Sequence, residues 1–167
     1  MGTFFVQSST VGVDLNNGNA TALFAPGTHV LGNNASEWVY VQAGTSISSN
    51  SFVAINTGSY TAGMASGADV LNGSQLALSQ TSISAQAFGW VCIRGVQLTA
   101  WCNSSATAPT TIGVFLATQS SRCGVMTVFG SGSGTLGGVQ ITEAASSTST
   151  GALVTVNLNW PRSITQT

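Results

Sequence analysis

The chain has 167 residues, and only 4% of them are charged: 3 Lys+Arg against 4 Asp+Glu, with no lysine at all. An ordinary soluble domain is roughly a quarter charged, and the 43% apolar content is too high for a disordered chain. With a net charge of −1 and with Arg94, Arg122 and Arg162 scattered singly, the chain offers no basic stripe for nucleic acid or for an anionic membrane surface.

Residues 1–31 show no periodic element. Phe4, Phe5 and Val6 precede a polar run, Asn16-Asn17-Gly18-Asn19 is rich in turn formers, and the weakly apolar stretch up to Phe24 ends at Pro26-Gly27. Such a segment cannot build a core of its own. It is expected to be an N-terminal arm that drapes over the domain or reaches a neighbour, with Phe4, Phe5, Val6 and Phe24 as anchors. The short apolar start turns polar at once, so no secretory leader is expected. No apolar stretch reaches the roughly 18 residues of a membrane span.

Ser36-Glu37-Trp38-Val39-Tyr40-Val41-Gln42 is the first convincing strand, rich in aromatic and β-branched residues. Gly44-Thr45 turns the chain, and residues 51–56 read as the hairpin partner of that strand. Residues 60–72 contain helix-tolerant Ala62, Met64, Ala65 and Ala68. Gly63 and Gly67 limit them to one helical turn at most, because each costs about 1 kcal/mol in a helix. Leu76, Leu78 and Ile83 mark short strand candidates.

Phe88-Gly89-Trp90-Val91-Cys92-Ile93-Arg94-Gly95 is the second central strand, and residues 96–101 follow it after a bend at Gly95. Alternation places Trp90, Cys92 and Arg94 on one face and Val91 and Ile93 on the other. In so charge-poor a chain, Arg94 is expected to meet Glu37. Trp38, Tyr40 and Trp90, with the Glu37–Arg94 pair, form the expected staple of the core.

Further on, residues 112–118 and 124–129 form a hairpin-like pair. Residues 130–138 read as a Gly/Ser-rich hinge, and residues 139–142 as a brief strand. Residues 152–158 form an alternating strand, and Trp160-Pro161-Arg162 ends the ordered pattern, with Trp160 as a candidate contact residue. This last strand either closes the domain's own sheet or adds to that of a neighbour. Short strands with frequent turn signals predict an all-β protein, a small β-barrel or sandwich. The expected organisation is an arm over residues 1–31, a core over residues 32–130, and over residues 131–167 a hinge followed by an extended or swapped C-terminal strand and tail.

Groups able to do chemistry are few. The chain has one histidine, His29, and four carboxylates at Asp14, Glu37, Asp69 and Glu143. Cys92, Cys102 and Cys123 are an odd number without CxxC spacing, which reads as buried thiols in a reducing compartment. Gly132-Ser133-Gly134-Thr135-Leu136-Gly137 has the spacing of a dinucleotide loop but no strand-to-helix context. Neither a catalytic triad nor a zinc cluster is visible, so no enzyme, cofactor or metal is expected. Trp38, Trp90, Trp101 and Trp160 are read first as core or interface residues and second as a sugar-stacking platform.

Two runs carry a family resemblance. Pro26-Gly27-Thr28, then Ser36-Glu37-Trp38-Val39-Tyr40-Val41-Gln42-Ala43 and the turn into Phe52-Val53-Ala54-Ile55, resembles a pattern in the capsid decoration (cement) proteins of tailed bacteriophages. Phe88-Gly89-Trp90-Val91-Cys92-Ile93-Arg94-Gly95 is similar to the second motif of that group. The likeness spans roughly residues 25–130. It departs between the strands, where the family usually carries a longer helical stretch. The resemblance implies a compact β domain on the outer surface of a virion, made in the host bacterial cytoplasm. It also implies a symmetric oligomer, often a homotrimer, bound to the major capsid protein, with no nucleic-acid or membrane partner. The competing expectation is a glycan- or host-recognition β module of a phage particle.

Overall fold

The computed structural model describes residues 13–66, 69, 74–102, 116–118, 126–128, 135–143 and 152–164. Over these the chain runs β1 (His29–Leu31), β2 (Glu37–Ala43), β3 (Ser51–Asn56), β4 (Thr61–Met64), β5 (Gln75–Ser79), β6 (Phe88–Cys102), β7 (Leu116–Thr118), β8 (Met126–Val128), β9 (Thr135–Glu143) and β10 (Ala152–Ile164). The fold is all-β. Five of the strands close on themselves in the order β2-β4-β3-β5-β6 and back to β2. Closure removes the exposed strand edges that an open sheet would present.

The two strands prominent in the sequence form one wall of this barrel. β2 and β6 are antiparallel, with Trp38 opposite Cys92, Tyr40 opposite Trp90 and Gln42 opposite Phe88. A bulge between Glu37 and Trp38 shifts the register so that Glu37 stands opposite Arg94. Both faces of the wall are buried, as strict alternation on two covered sides requires. Val39, Val41, Val53, Ile55, Ala62, Ala77, Val91 and Ile93 come from all five strands and fill the barrel. Trp38, Tyr40, Phe52, Leu76, Leu78, Trp90 and Cys92 form a second apolar layer on the opposite face.

That second layer has two covers. Residues 13–31 drape over it. Leu15 is buried, and Asn19 exchanges backbone hydrogen bonds of 2.8 Å with Phe88 in both directions. The Phe24 ring meets Tyr40 edge-on at 5.4 Å and lies 5.4 Å from Trp90. Phe24 therefore packs, partly buried, on the aromatic pair of the β2–β6 wall, the draping course that the sequence allowed for the arm. The other cover is the C-terminal ribbon. β10 pairs with β6 from Ala152 opposite Cys102 to Asn159 opposite Arg94, and with β9 on its other edge. Val139, Ile141, Val154, Val156 and Leu158 join the same apolar layer. The last strand thus closes the sheet of its own chain.

Several local expectations are corrected. β3 is not the hairpin partner of β2; it pairs with β4 and β5. The residues between β2 and β3 are a plug instead of a tight turn, since Ile47 is buried and bridges Ile83 at the barrel end. Thr61–Met64 is a strand, and within the 60–72 stretch the helical position among the described residues is Asp69. The Asn56 side chain accepts the N–H groups of Gly58 and Ser59, and Tyr60 takes a left-handed φ of 54°, so the chain doubles back onto β3. Pairing on two sides then overrides the helical tolerance of Ala62 and Met64. β10 runs through Trp160-Pro161-Arg162 to Ile164, and Thr135 to Gly138 belong to β9. Phe4, Phe5, Val6, Arg122 and Cys123 lie outside the described residues.

Candidate functional site

Glu37 is the hub of a charged cluster at one edge of the barrel. The bulge sets it against Arg94, and the short β1 strand brings His29 alongside. One carboxylate oxygen lies 3.2 Å from His29 Nδ1, and the other lies 3.6 Å from Arg94 Nε. The second distance is an ion pair too long for a hydrogen bond, and Arg94 Nε is buried without a hydrogen-bond partner. The guanidinium carbon stands 4.9 Å from the centroid of the Trp160 ring, a stacking geometry usually worth about 0.5–2 kcal/mol. Four elements thus converge on Glu37, Arg94, His29 and Trp160.

The sequence pairing of Glu37 with Arg94 is borne out. His29 and Trp160 as their neighbours were not foreseen. The only signal for His29 was the turn Gly32-Asn33-Asn34-Ala35, whose left-handed Asn34 and Ala35 fold β1 onto β2. Trp38, Tyr40 and Trp90 are buried completely or nearly so, and belong to the core layer. Cys92 is also buried, and its Sγ donates to the Arg94 carbonyl at 3.0 Å. Burial pushes its thiol up to about 12, far from the thiolate that chemistry or metal binding requires. Among the described residues no three His, Cys, Asp or Glu side chains gather to hold a metal ion.

A second surface lies on the long ribbon of β6 and β10. Trp101 stands opposite Leu153, and Thr99 opposite Thr155. Trp101 is 36% exposed and Leu153 47%, while their sequence neighbours Ala100 and Val154 point into the core. Val96 is exposed further along β6. No residue from Val96 to Trp101 or from Leu153 to Asn157 is ionisable.

The free edge of this part of β6 is closed by side-chain chemistry. Gln80 donates from Nε2 to the Thr99 carbonyl at 2.8 Å and accepts the Thr99 N–H at 3.1 Å, while the Asn50 carbonyl takes the Trp101 N–H. An added strand finds no open ladder there. What the surface leaves accessible is its face.

No protein-family profile matches the chain, and no curated protein matches its sequence.

Proposed function

We propose that this protein is a structural component of a tailed-phage particle, bound to the outer surface of the capsid through the major capsid protein and acting as a symmetric oligomer that stabilises the shell. The observation that carries the reading is the uncharged Trp101–Leu153 face. Fully burying a large apolar side chain yields about 1.5–3 kcal/mol. At the exposures seen here, covering both residues is therefore worth about 2 kcal/mol per copy, too little for stable binding by one copy. A trimer meeting three equivalent capsid sites multiplies the term through linkage without needing strong single contacts. Binding to the assembled shell and not to its dissociated subunits stabilises the shell by mass action. No catalytic group takes part.

The two motifs that resemble the decoration proteins support the same reading. They are adjacent strands of one barrel wall, and the remaining strands are arranged around them. The test is co-sedimentation of the full chain with capsids of the phage that encodes it, alongside sedimentation velocity of the free protein. Binding is expected for the natural chain and is expected to be lost in the Trp101→Ser/Leu153→Ser double variant, whose barrel core is untouched. Absence of the protein from intact particles, or undiminished binding by the double variant, refutes the proposal.

A further inference from the structure

A groove of about 720 Å³ lies at one end of the barrel, where β3 ends, β4 and β5 begin and β10 passes across. Its size falls in the ~300–1,000 Å³ range of small-ligand sites. It is lined by Asn56, Thr57, Thr61, Asp69, Gln75 and Trp160 among others, so the described lining holds one carboxylate and no cation.

Three of these side chains are held at one end and uncommitted at the other. Asn56 spends its carbonyl oxygen on the Gly58 and Ser59 N–H groups, which fixes the amide plane and leaves its Nδ2 donor without a hydrogen bond among the described residues. Asp69 Oδ2 accepts from Ser66 N and Oγ at 2.9 and 2.6 Å, while its other oxygen has no partner among the described residues. Trp160 is 48% exposed, takes a left-handed φ of 45°, and is stacked against Arg94. The β9–β10 ladder breaks between Leu158 and Arg162, and this irregularity displaces Trp160 from the regular strand.

We propose that this groove binds a neutral oligosaccharide, with Trp160 as the stacking platform and Asn56, Gln75 and Asp69 as hydrogen-bonding partners of ring hydroxyls. A pyranose has an apolar C–H face suited to an indole and a rim of hydroxyls that both donate and accept. An amide donor and a carboxylate acceptor lining one groove meet ring hydroxyls with complementary roles. Fixed side chains lose little conformational entropy on binding, which favours a weak, multi-point ligand of this kind. A phosphate or other anion would face Asp69 without a compensating cation in the described lining. The site is separate from the Trp101–Leu153 face, and the inference does not depend on capsid attachment.

The experiment is a titration of the full chain and of each variant by isothermal calorimetry, with NMR at the Trp160 indole N–H added wherever Trp160 is present, using millimolar maltotetraose, cellotetraose and chitotetraose, and sialyllactose as an anionic control. At least one neutral tetrasaccharide is expected to shift the Trp160 signal. Trp160→Ala is expected to weaken that binding about tenfold or more, and Trp160→Phe to keep much of it. Gln75→Ala, which leaves the stacking unit intact, serves as a second variant and is also expected to weaken binding. Trp101→Ser/Leu153→Ser is expected to bind sugar normally, which separates this outcome from the fate of the capsid proposal. The inference is overturned if no neutral sugar shifts Trp160, if only sialyllactose binds, or if folded Trp160→Ala and Gln75→Ala bind as the natural chain does.

Discussion

Gly138 on β9 is the position where one methyl group is expected to do the most damage at the surface. Its φ is +75°, a left-handed conformation in which a non-glycine residue loses about 1–2 kcal/mol. A Cβ built there would also overlap the Asn159 carbonyl oxygen and would stand 3.1 Å from the Trp160 carbonyl oxygen. Both atoms are backbone and cannot rotate away, so overpacking adds about 1–3 kcal/mol. Gly138→Ala is therefore expected to destabilise the protein by about 2–5 kcal/mol. For a chain of this length that corresponds to a fall in Tm of about 4–20 °C.

Gly18 provides the internal control. A Cβ there meets its nearest atoms, Phe88 O and Ile83 Cγ2, at 3.5 and 3.6 Å, which is ordinary contact. Gly18→Ala is expected to stay within about 0.5 kcal/mol of the natural chain. Thermal and urea unfolding of the two variants side by side decide the matter. If Gly138→Ala melts together with Gly18→Ala, the backbone clash is not a constraint and the account of the β9–β10 irregularity fails.

Three further outcomes follow from the same contacts. Tyr40→Phe keeps the buried ring but removes the hydroxyl that accepts the Leu23 N–H at 3.2 Å; a loss of about 1 kcal/mol and faster exchange of the Leu23 amide are expected, and an unchanged exchange rate would contradict the tie. A double-mutant cycle on Glu37→Gln and Arg94→Gln is expected to give a coupling of about 1 kcal/mol or less that shrinks in high salt, since both side chains retain contact with water; zero coupling at low salt refutes the pairing as a stabilising contact. Cys92 holds its proton in the folded state up to about 12 against an ordinary 9.0. Its contribution is present below pH 9 and is lost as pH rises toward 12, because the unfolded chain releases the proton first. Alkylation at pH 8 should spare Cys92 in the folded protein, and Cys92→Ala should flatten the alkaline fall in stability.

The central wall was legible because its signal is local. Aromatic and β-branched residues alternating at a period of two mark β2 and the first half of β6, and a scarcity of charge made the Glu37–Arg94 pairing almost forced. The partnership of β3 was not legible. Which edge a strand takes depends on Ile47 and Ile83 plugging the barrel end, two residues separated by 36 positions with no shared local pattern. β4 was missed for a related reason. Ala62 and Met64 are compatible with a helix, and only pairing with both β2 and β3 makes them strand residues. The groove was invisible for a third reason. Asn56, Asp69, Gln75 and Trp160 come from four separate segments, and the irregularity that displaces Trp160 depends on a backbone approach between Gly138 and Asn159.

The placement of both proposed surfaces follows from the burial of the wall. Once β2 and the first half of β6 are covered on both faces, contact falls to the far half of β6, to the barrel end and to the strand laid across them. β10 contributes to both surfaces. Leu153 near its start belongs to the uncharged face opposite Trp101, and Trp160 near its end belongs to the groove. Seven residues of strand separate them, roughly 20 Å at about 3.3 Å per residue. If both proposals hold, a capsid subunit seated on the Leu153 end leaves the Trp160 end open, and the two proposed functions do not compete on one copy. The demand this makes is on β10 itself: it must stay paired along its length, with β6 and β9 holding the first half on its two edges and β9 and β5 the second. A change such as Gly138→Ala that loosens only the second half should then weaken sugar binding and leave capsid attachment intact. Equal loss of both would show that the ribbon melts as one unit.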